Sequence, residues 1–368
     1  MSTAAKIPGR PQTANEALLQ RSVRHQLLLQ RVGNREAASI RRLLKEAHAD
    51  ALVQLERRLS LISERGFDLG PATTRRLQDL ATGLQEMMSP TLKQAQQQLA
   101  ESLTELAQTE VQFQVGLVQQ VTAMQVEMVL PSVTTLQAVV TARPFDGRLL
   151  GEWFDELERR QQTRVLRAVR LGVVEGETVP QMARRLQGEV LDLTRRGAEN
   201  IVRTAVNHIS AHAREAVAQT NMDIVAGVQW VSTLDSLTCF ECQALDGQVF
   251  DVGSGPRPPR HLNCRCGLTY ALKSWRELGI DLDEAPEGTR ASMDGQVPDS
   301  LTYNAWLRGR AQAGDMATVE DALGKTRAKL FAAGGLKVEQ FVDQQGQMLT
   351  LKELKGKEAD VFKQLNLN

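Results

Sequence analysis

Apolar residues recur at spacings of three and four over most of the first 220 positions, the pattern of amphipathic helices. From Asn15 to about residue 64 the repeat runs through Leu18, Leu19 and Val23, then Ile40, Leu43, Leu44, Ala51, Leu55 and Leu59. Gly33-Asn34 predicts a break inside it, and "GFDLGP" at 66–71 predicts a second. A longer stripe follows through Leu99, Leu103, Leu106, Phe113, Leu117, Val121, Met124 and Met128, ending at Pro131. Between these lie Gln96, Gln97, Gln98, Gln108, Gln112, Gln114, Gln119 and Gln120, so the outer face is polar and largely uncharged. Such a stripe needs a second apolar surface: a helical hairpin packed on itself, or a docking and self-association helix.

After Ala142 an irregular stretch is followed by helix, and Thr178 with Gln181 three residues on forms a capping box for a new helix through Met182 and Leu186. Another helix is predicted over about Arg195 to Thr220, burying Ala198, Ile201, Ala205, Ile209, Ala213 and Val217. At Ile224 the period changes. "IVAGVQWVST" alternates and is β-branched, "LDGQVFDV" gives a turn and a short strand, and "CGLTYAL" gives a third. After "DEAPEGTRASMDGQVP", a predicted loop, short helices are expected at about 302–312, 317–333 and 336–344. The fold class is mainly α: a long N-terminal helical region, a small α+β module and a short helical C-terminal tail.

Composition fits that picture. Aromatic residues make up only 4% of the 368, while 42% are hydrophobic and 24% charged. The formal net charge is zero, so no global field draws the chain to nucleic acid or membrane. Residues 1–66 nevertheless carry roughly twice as many Arg and Lys as Asp and Glu, including Arg21, Arg24, Arg31, Arg35, Arg41, Arg42, Arg57 and Arg58. A solvated helix face is the reading of these arginines, with phosphate contact the alternative. The N-terminus lacks the apolar core of a signal peptide and no run reaches membrane-spanning length, which predicts a chain made in cytoplasm and no membrane partner.

All four cysteines fall in one stretch, as Cys239-x2-Cys242 and then His261-x2-Cys264-x-Cys266. In a reducing compartment such clustering points to metal or redox chemistry before structural disulfides. Two thiolates on a tight turn define one edge of a zinc tetrahedron, and the second half offers three more donors. Structural zinc is the expected cofactor; which four of the five donors bind stays open, as do disulfides and plain buried thiols. A closed four-ligand site leaves no place for substrate, so the chain is expected not to be an enzyme. A zinc deaminase would need H-x-E, absent here, and a proline where Thr238 stands. His208 and His212 share a helix face, but Ile209 occupies the position of the glutamate in H-E-x-x-H, so packing or surface exposure is expected for the pair. No thioredoxin-like context or phosphate-binding glycine loop accompanies the cysteines.

Taken together, Arg203-Thr204, Trp230, Thr233, Asp235, Thr238-Cys239, Cys242, the Leu245-Asp246-Gly247 turn and the close Pro258-Pro259-x-His261-x2-Cys264-Arg265-Cys266 form a specific signature. It resembles the phage head morphogenesis family, the Mu protein F-like minor head proteins, over roughly residues 150–275. With the residue patterns above, the resemblance gives a division into a flexible arm punctuated by Pro8, Gly9 and Pro11 (1–14), a helical region with the Gln-rich helix (15–142), neither tied to the family by a motif, a Mu F-like domain (143–275) and a C-terminal helical tail (276–368). It implies a minor head protein of a tailed bacteriophage, in the virion at or near the portal, built in the host cytoplasm and acting in head morphogenesis, genome packaging or delivery. Expected partners are the portal protein, then the major capsid or scaffolding protein and packaged DNA. The alternative is a module that binds DNA through the Cys/His knuckle, using Phe240, Arg257, Arg260 and Arg265. Around the cluster, Asp235 and Asp246 are expected to cap turns, Gly247 to make one, and Arg203 and Arg265 to pair with the aspartates.

Overall fold

The computed structural model describes residues 14–63, 71–122, 127–274, 276–278 and 289–367. Helix α1 (Ala14–Ser63) and helix α2 (Pro71–Val121) form the long N-terminal pair. α3 (Val133–Ala142), α4 (Leu150–Val174) and α5 (Val179–Leu186) follow, then a π-helical turn (Gln187–Asp192) and α6 (Leu193–Thr220). The Thr178 capping box forms, with the Thr178 N–H donating to Gln181 Oε1 at 2.8 Å.

The break predicted at Gly33-Asn34 does not occur: α1 is continuous through it. Gly33 is buried against α6, where an added Cβ would lie 3.6 Å from the Arg203 Cα, an ordinary contact. A mid-helix glycine costs only about 1 kcal/mol, which the packing of both flanking turns outweighs. The second predicted break, at 66–71, falls almost wholly outside the described residues. The Gln-rich helix begins far earlier than its stripe, at Pro71, and ends at Val121, short of Pro131. Met124 lies outside the described residues, and Met128 is buried beyond the helix end. Leu99, Leu103, Val111 and Leu117 are buried in a core shared with α1, α3, α4 and α6. The stripe's partner surface is thus inside the chain.

Strands β1 (Val225–Val231), β2 (Val249–Phe250) and β3 (Gly267–Leu272) form an antiparallel sheet in the order β2-β1-β3, with Val228 opposite Phe250 and Trp230 opposite Leu268. A short helix α7 (Phe240–Leu245) lies between β1 and β2. One hydrophobic core runs from α1 through α6 into this sheet and includes Cys242, Cys264 and Cys266. A second fills the far end of the bundle, where Leu55 and Leu59 of α1 meet Leu80, Leu84, Val165, Val169 and Met182.

A third core belongs to the C-terminal part. The predicted loop there contains a hairpin, β4 (Thr289–Ser292) and β5 (Gly295–Pro298), turning at Met293-Asp294 into Gly295 at φ 100°. Its strands are four residues long and mostly half-exposed or exposed, too short and polar to show alternation. Helix α8 (Tyr303–Gln312) follows. The single helix expected at 317–333 is two, α9 (Met316–Leu323) and α10 (Lys325–Ala332), parted by Gly324 at φ 75°. The helix expected at 336–344 is only a 3-10 turn (Val338–Phe341), and α11 (Leu351–Lys357) and α12 (Ala359–Gln364) were not foreseen. No helix among the described residues is long and apolar enough to cross a membrane.

Candidate metal centre

Cys239 stands at the N-terminus of α7 and Cys242 one turn inside it, so the C-x2-C spacing turns both sulfurs to one side. The turn before α7 is fixed by Asp235, which accepts from the Leu237 N–H at 3.0 Å, and by the Thr238 hydroxyl donating to the Thr233 carbonyl at 2.6 Å. The other half of the cluster, His261 to Cys266, is held from behind by α6. Thr204 Oγ1 accepts from the N–H of Asn263, a residue in the left-handed region (φ 60°), at 2.9 Å. One turn later Asn207 donates to the carbonyls of Cys264 and Cys266 at 2.9 and 3.1 Å, and accepts from Gln26 of α1 at 2.9 Å. Two polar side chains on a buried helix face thereby dictate the path of the ligand turn.

The five donors converge in two triads that share Cys242: Cys239, Cys242 and His261, and Cys242, Cys264 and Cys266. His261 Nε2 lies 3.3 Å from Cys239 Sγ and 3.8 Å from Cys242 Sγ, and the Cys242 and Cys264 sulfurs are 3.8 Å apart. Tetrahedral zinc with bonds of about 2.3 Å to sulfur and about 2.0 Å to nitrogen has edges of about 3.8 Å (S···S) and about 3.5 Å (S···N). The S···S distance is that edge, the two S···N distances fall on either side of theirs, and all four cysteines are free thiols. His261 Nδ1 donates to the Leu262 carbonyl at 2.9 Å, which leaves Nε2 as the ligand atom in the neutral ring. The Cys239 thiol is pulled down to about 4, first by its bond with Cys242, and His261 rises to about 11, first through Cys239. A metal ion replaces the protons such an arrangement holds. The cluster can therefore hold a metal ion.

Arg265 grips Asp235 with both nitrogens, at 2.5 and 2.8 Å, the pairing expected. Arg203 does not join an aspartate: it reaches Glu199 on its own helix at 3.0 Å and Asn34 of α1 at 2.8 Å. It faces α1 rather than the turn of Asp235 or Asp246, and Thr204, its neighbour, makes the contact to the cluster. Asp246 does more than cap. Its oxygens accept from the N–H groups of Ser232 and Tyr303, both at 2.7 Å, and from both terminal nitrogens of Arg290 at 3.1 Å, in a fully buried setting. Gly247 turns the chain at φ 81°. Arg290 comes from β4, inside the stretch read as loop, so sequence patterning had no element on which to place it. Also unforeseen is the pair Glu110–Arg214 (2.6 Å), joined by His25 at 2.6 Å, which bridges α1, α2 and α6. Burial alone would raise Glu110, but Arg214 and then His25 outweigh it and hold the carboxyl at about 2. His208 and His212 touch each other with ring centroids 4.4 Å apart, burial drives both well below the usual imidazole range, and neither joins the metal-capable groups found among the described residues.

Residues 163–269 match a family model described as phage Mu protein F like protein. The matched span runs from α4 through α6 to β3 and encloses the whole cluster. No curated protein and no solved structure matches the chain significantly.

Proposed function

Because residues 163–269 match the phage Mu protein F-like family model, we propose that this chain is a phage head morphogenesis protein, a minor virion component that sits at or near the portal vertex. The observation that carries the reading is the family match over the segment that builds the cluster. In this reading Cys239, Cys242, His261 and Cys264 hold one zinc ion as a staple. Cys264 is chosen over Cys266 because it lies against both Cys242 and His261, whereas Cys266, close to Cys242 and Cys264, also turns its thiol to the Ser232 hydroxyl at 3.6 Å. When bound, zinc supplies cross-linking of α7 to the ligand turn; a site closed by four protein ligands is non-catalytic.

The alternative, a knuckle that grips DNA, loses its contact residues. Arg265 is engaged by Asp235, Arg257 by Glu215 at 2.8 Å and Arg260 by Glu241 at 2.6 Å. Phe240 packs edge-on against Phe341 under the Arg327 guanidinium. Each would have to give up that partner before meeting a phosphate or a base.

Two measurements test the proposal. Tagged chain expressed during infection by the phage that encodes it should co-purify with heads in low copy and with the portal ring; absence from both procapsids and virions would overturn the assignment. Metal analysis of purified protein should find about one zinc per chain, and chelation should remove structure with it. Metal-free, fully folded protein would sink the staple.

A further inference from the structure

We propose that the outer ridge of α1 is a docking surface for the phosphate backbone of duplex DNA. This inference stands apart from the family reading, since α1 lies outside the matched residues. Over residues 20–45 the helix carries seven cations (Arg21, Arg24, Arg31, Arg35, Arg41, Arg42 and Lys45) against one acid, Glu36, in a chain whose charges balance overall at 44 and 44. At 3.6 residues per turn, Arg24, Arg31, Arg35 and Arg42 project within an arc of about 40°, and Arg24 to Arg42 spans about 27 Å. All four are exposed. Among the described residues Arg24, Arg31, Arg42 and Lys45 have no acidic partner, and Arg35 has only its neighbour Glu36 at 3.6 Å.

The ridge is rigid because the opposite side of α1 is fastened. His25 binds Glu110 of α2, Ser22 meets Thr269 of β3 at 3.1 Å, and Gln26 bonds Asn207 of α6. Leu18, Leu29, Gly33, Ile40 and Leu44 fill that inner face. A straight row of exposed guanidiniums, those of Arg24, Arg31 and Arg42 without an acidic partner, on a fixed rod matches a regular line of phosphates. The whole of α1 lacks Phe, Tyr and Trp, so it offers no stacking platform for unpaired bases. Most of its apolar side is consumed by the bundle, and the exposed Leu27, Leu28, Val53 and Leu61 form no continuous apolar stripe to insert into a lipid surface. Duplex backbone is the polyanion that remains, bound without sequence preference.

The test is fluorescence anisotropy of the full-length protein with a labelled 30-base-pair duplex of mixed sequence, over a salt series. Four phosphate contacts predict a slope of log K against log salt near −3.6, so affinity should fall about 150-fold between 50 and 200 mM salt. The quadruple variant R24Q/R31Q/R35Q/R42Q should lose that salt-dependent binding while keeping the wild-type thermal melt. Each single Arg→Gln should reduce the slope by about one, which keeps the test open if the quadruple variant folds poorly. Arg167→Gln on α4, an exposed control, should bind as wild type. Wild-type-like binding by the ridge variants, absence of salt-dependent binding by the native chain, or tighter binding of single strands or anionic phosphatidylserine vesicles would each overturn the proposal. None of these outcomes touches whether the chain is a head component.

Discussion

Removing the Arg290 guanidinium, as in Arg290→Met, should detach the C-terminal unit from the cluster module. Arg290 is 3% exposed and Asp246 is fully buried, and two nitrogens of one meet two oxygens of the other at 3.1 Å. Arg290 also donates to the Ser232 carbonyl at 2.7 Å. Methionine fills similar space but leaves the Asp246 charge without its cation. Breaking one side of a buried pair costs about 3–5 kcal/mol. Asp246 keeps its two backbone donors, Ser232 and Tyr303, so the lower end, about 3 kcal/mol, is expected. That corresponds to roughly a 150-fold rise in the open population. Hydrogen exchange followed by mass spectrometry should find amides over 289–312 exchanging about a hundred times faster, with α1 and α2 unchanged. The double variant Asp246→Ala with Arg290→Met should be less destabilised than the sum of the singles by at least about 2 kcal/mol. Exchange in Arg290→Met within fivefold of wild type would refute the idea that this pair joins the two units.

Three further outcomes follow from other contacts. Cys264→Ser should abolish zinc binding while Cys266→Ser retains about one ion per chain in elemental analysis; the reverse result would exchange the two ligands. Asn207→Leu should destabilise the chain by roughly 2–4 kcal/mol in urea melts, because the Cys264 and Cys266 carbonyls lose their donor in a buried place. Glu110 is held at about 2, below its ordinary 4.5, so its stabilising contribution is complete above about pH 4.5 and is lost as pH falls toward 2. Glu110→Gln should therefore lower stability at neutral pH and flatten its decline over that acid window; an unchanged acid profile would show that the pair is not coupled to folding.

The helices and the cluster were readable because their signals are local. A repeat at three and four identifies a helix wherever it lies, and Cys-x2-Cys followed by His-x2-Cys-x-Cys announces convergence without a fold. Readings failed where a distant segment decides. Gly33 reads as a breaker until Val206 and Arg203 of α6 are found packed on it. Arg203 reads as a partner for an aspartate until α1 supplies Asn34 on its other side. Asp246 reads as a turn cap, yet its cation arrives from 44 positions downstream on a hairpin too short to leave a pattern.

These corrections bear on where charge is available. Near the cluster, Arg257, Arg260, Arg265 and Arg290 are each claimed by a carboxylate of the same chain. A salt-linked arginine must break that link before it reaches a phosphate, and here the link also positions the ligand loop. The module around the sulfurs is thus closed electrostatically. On α1 the reverse holds: the inner face supplies the bonds that fix the helix, and Arg24, Arg31 and Arg42 on the outer face are left without a carboxylate among the described residues. A chain of zero net charge can in this way stay free of general adhesion to DNA while presenting one stiff line of positive charge, so any contact it makes with packaged duplex is set by orientation rather than by bulk attraction.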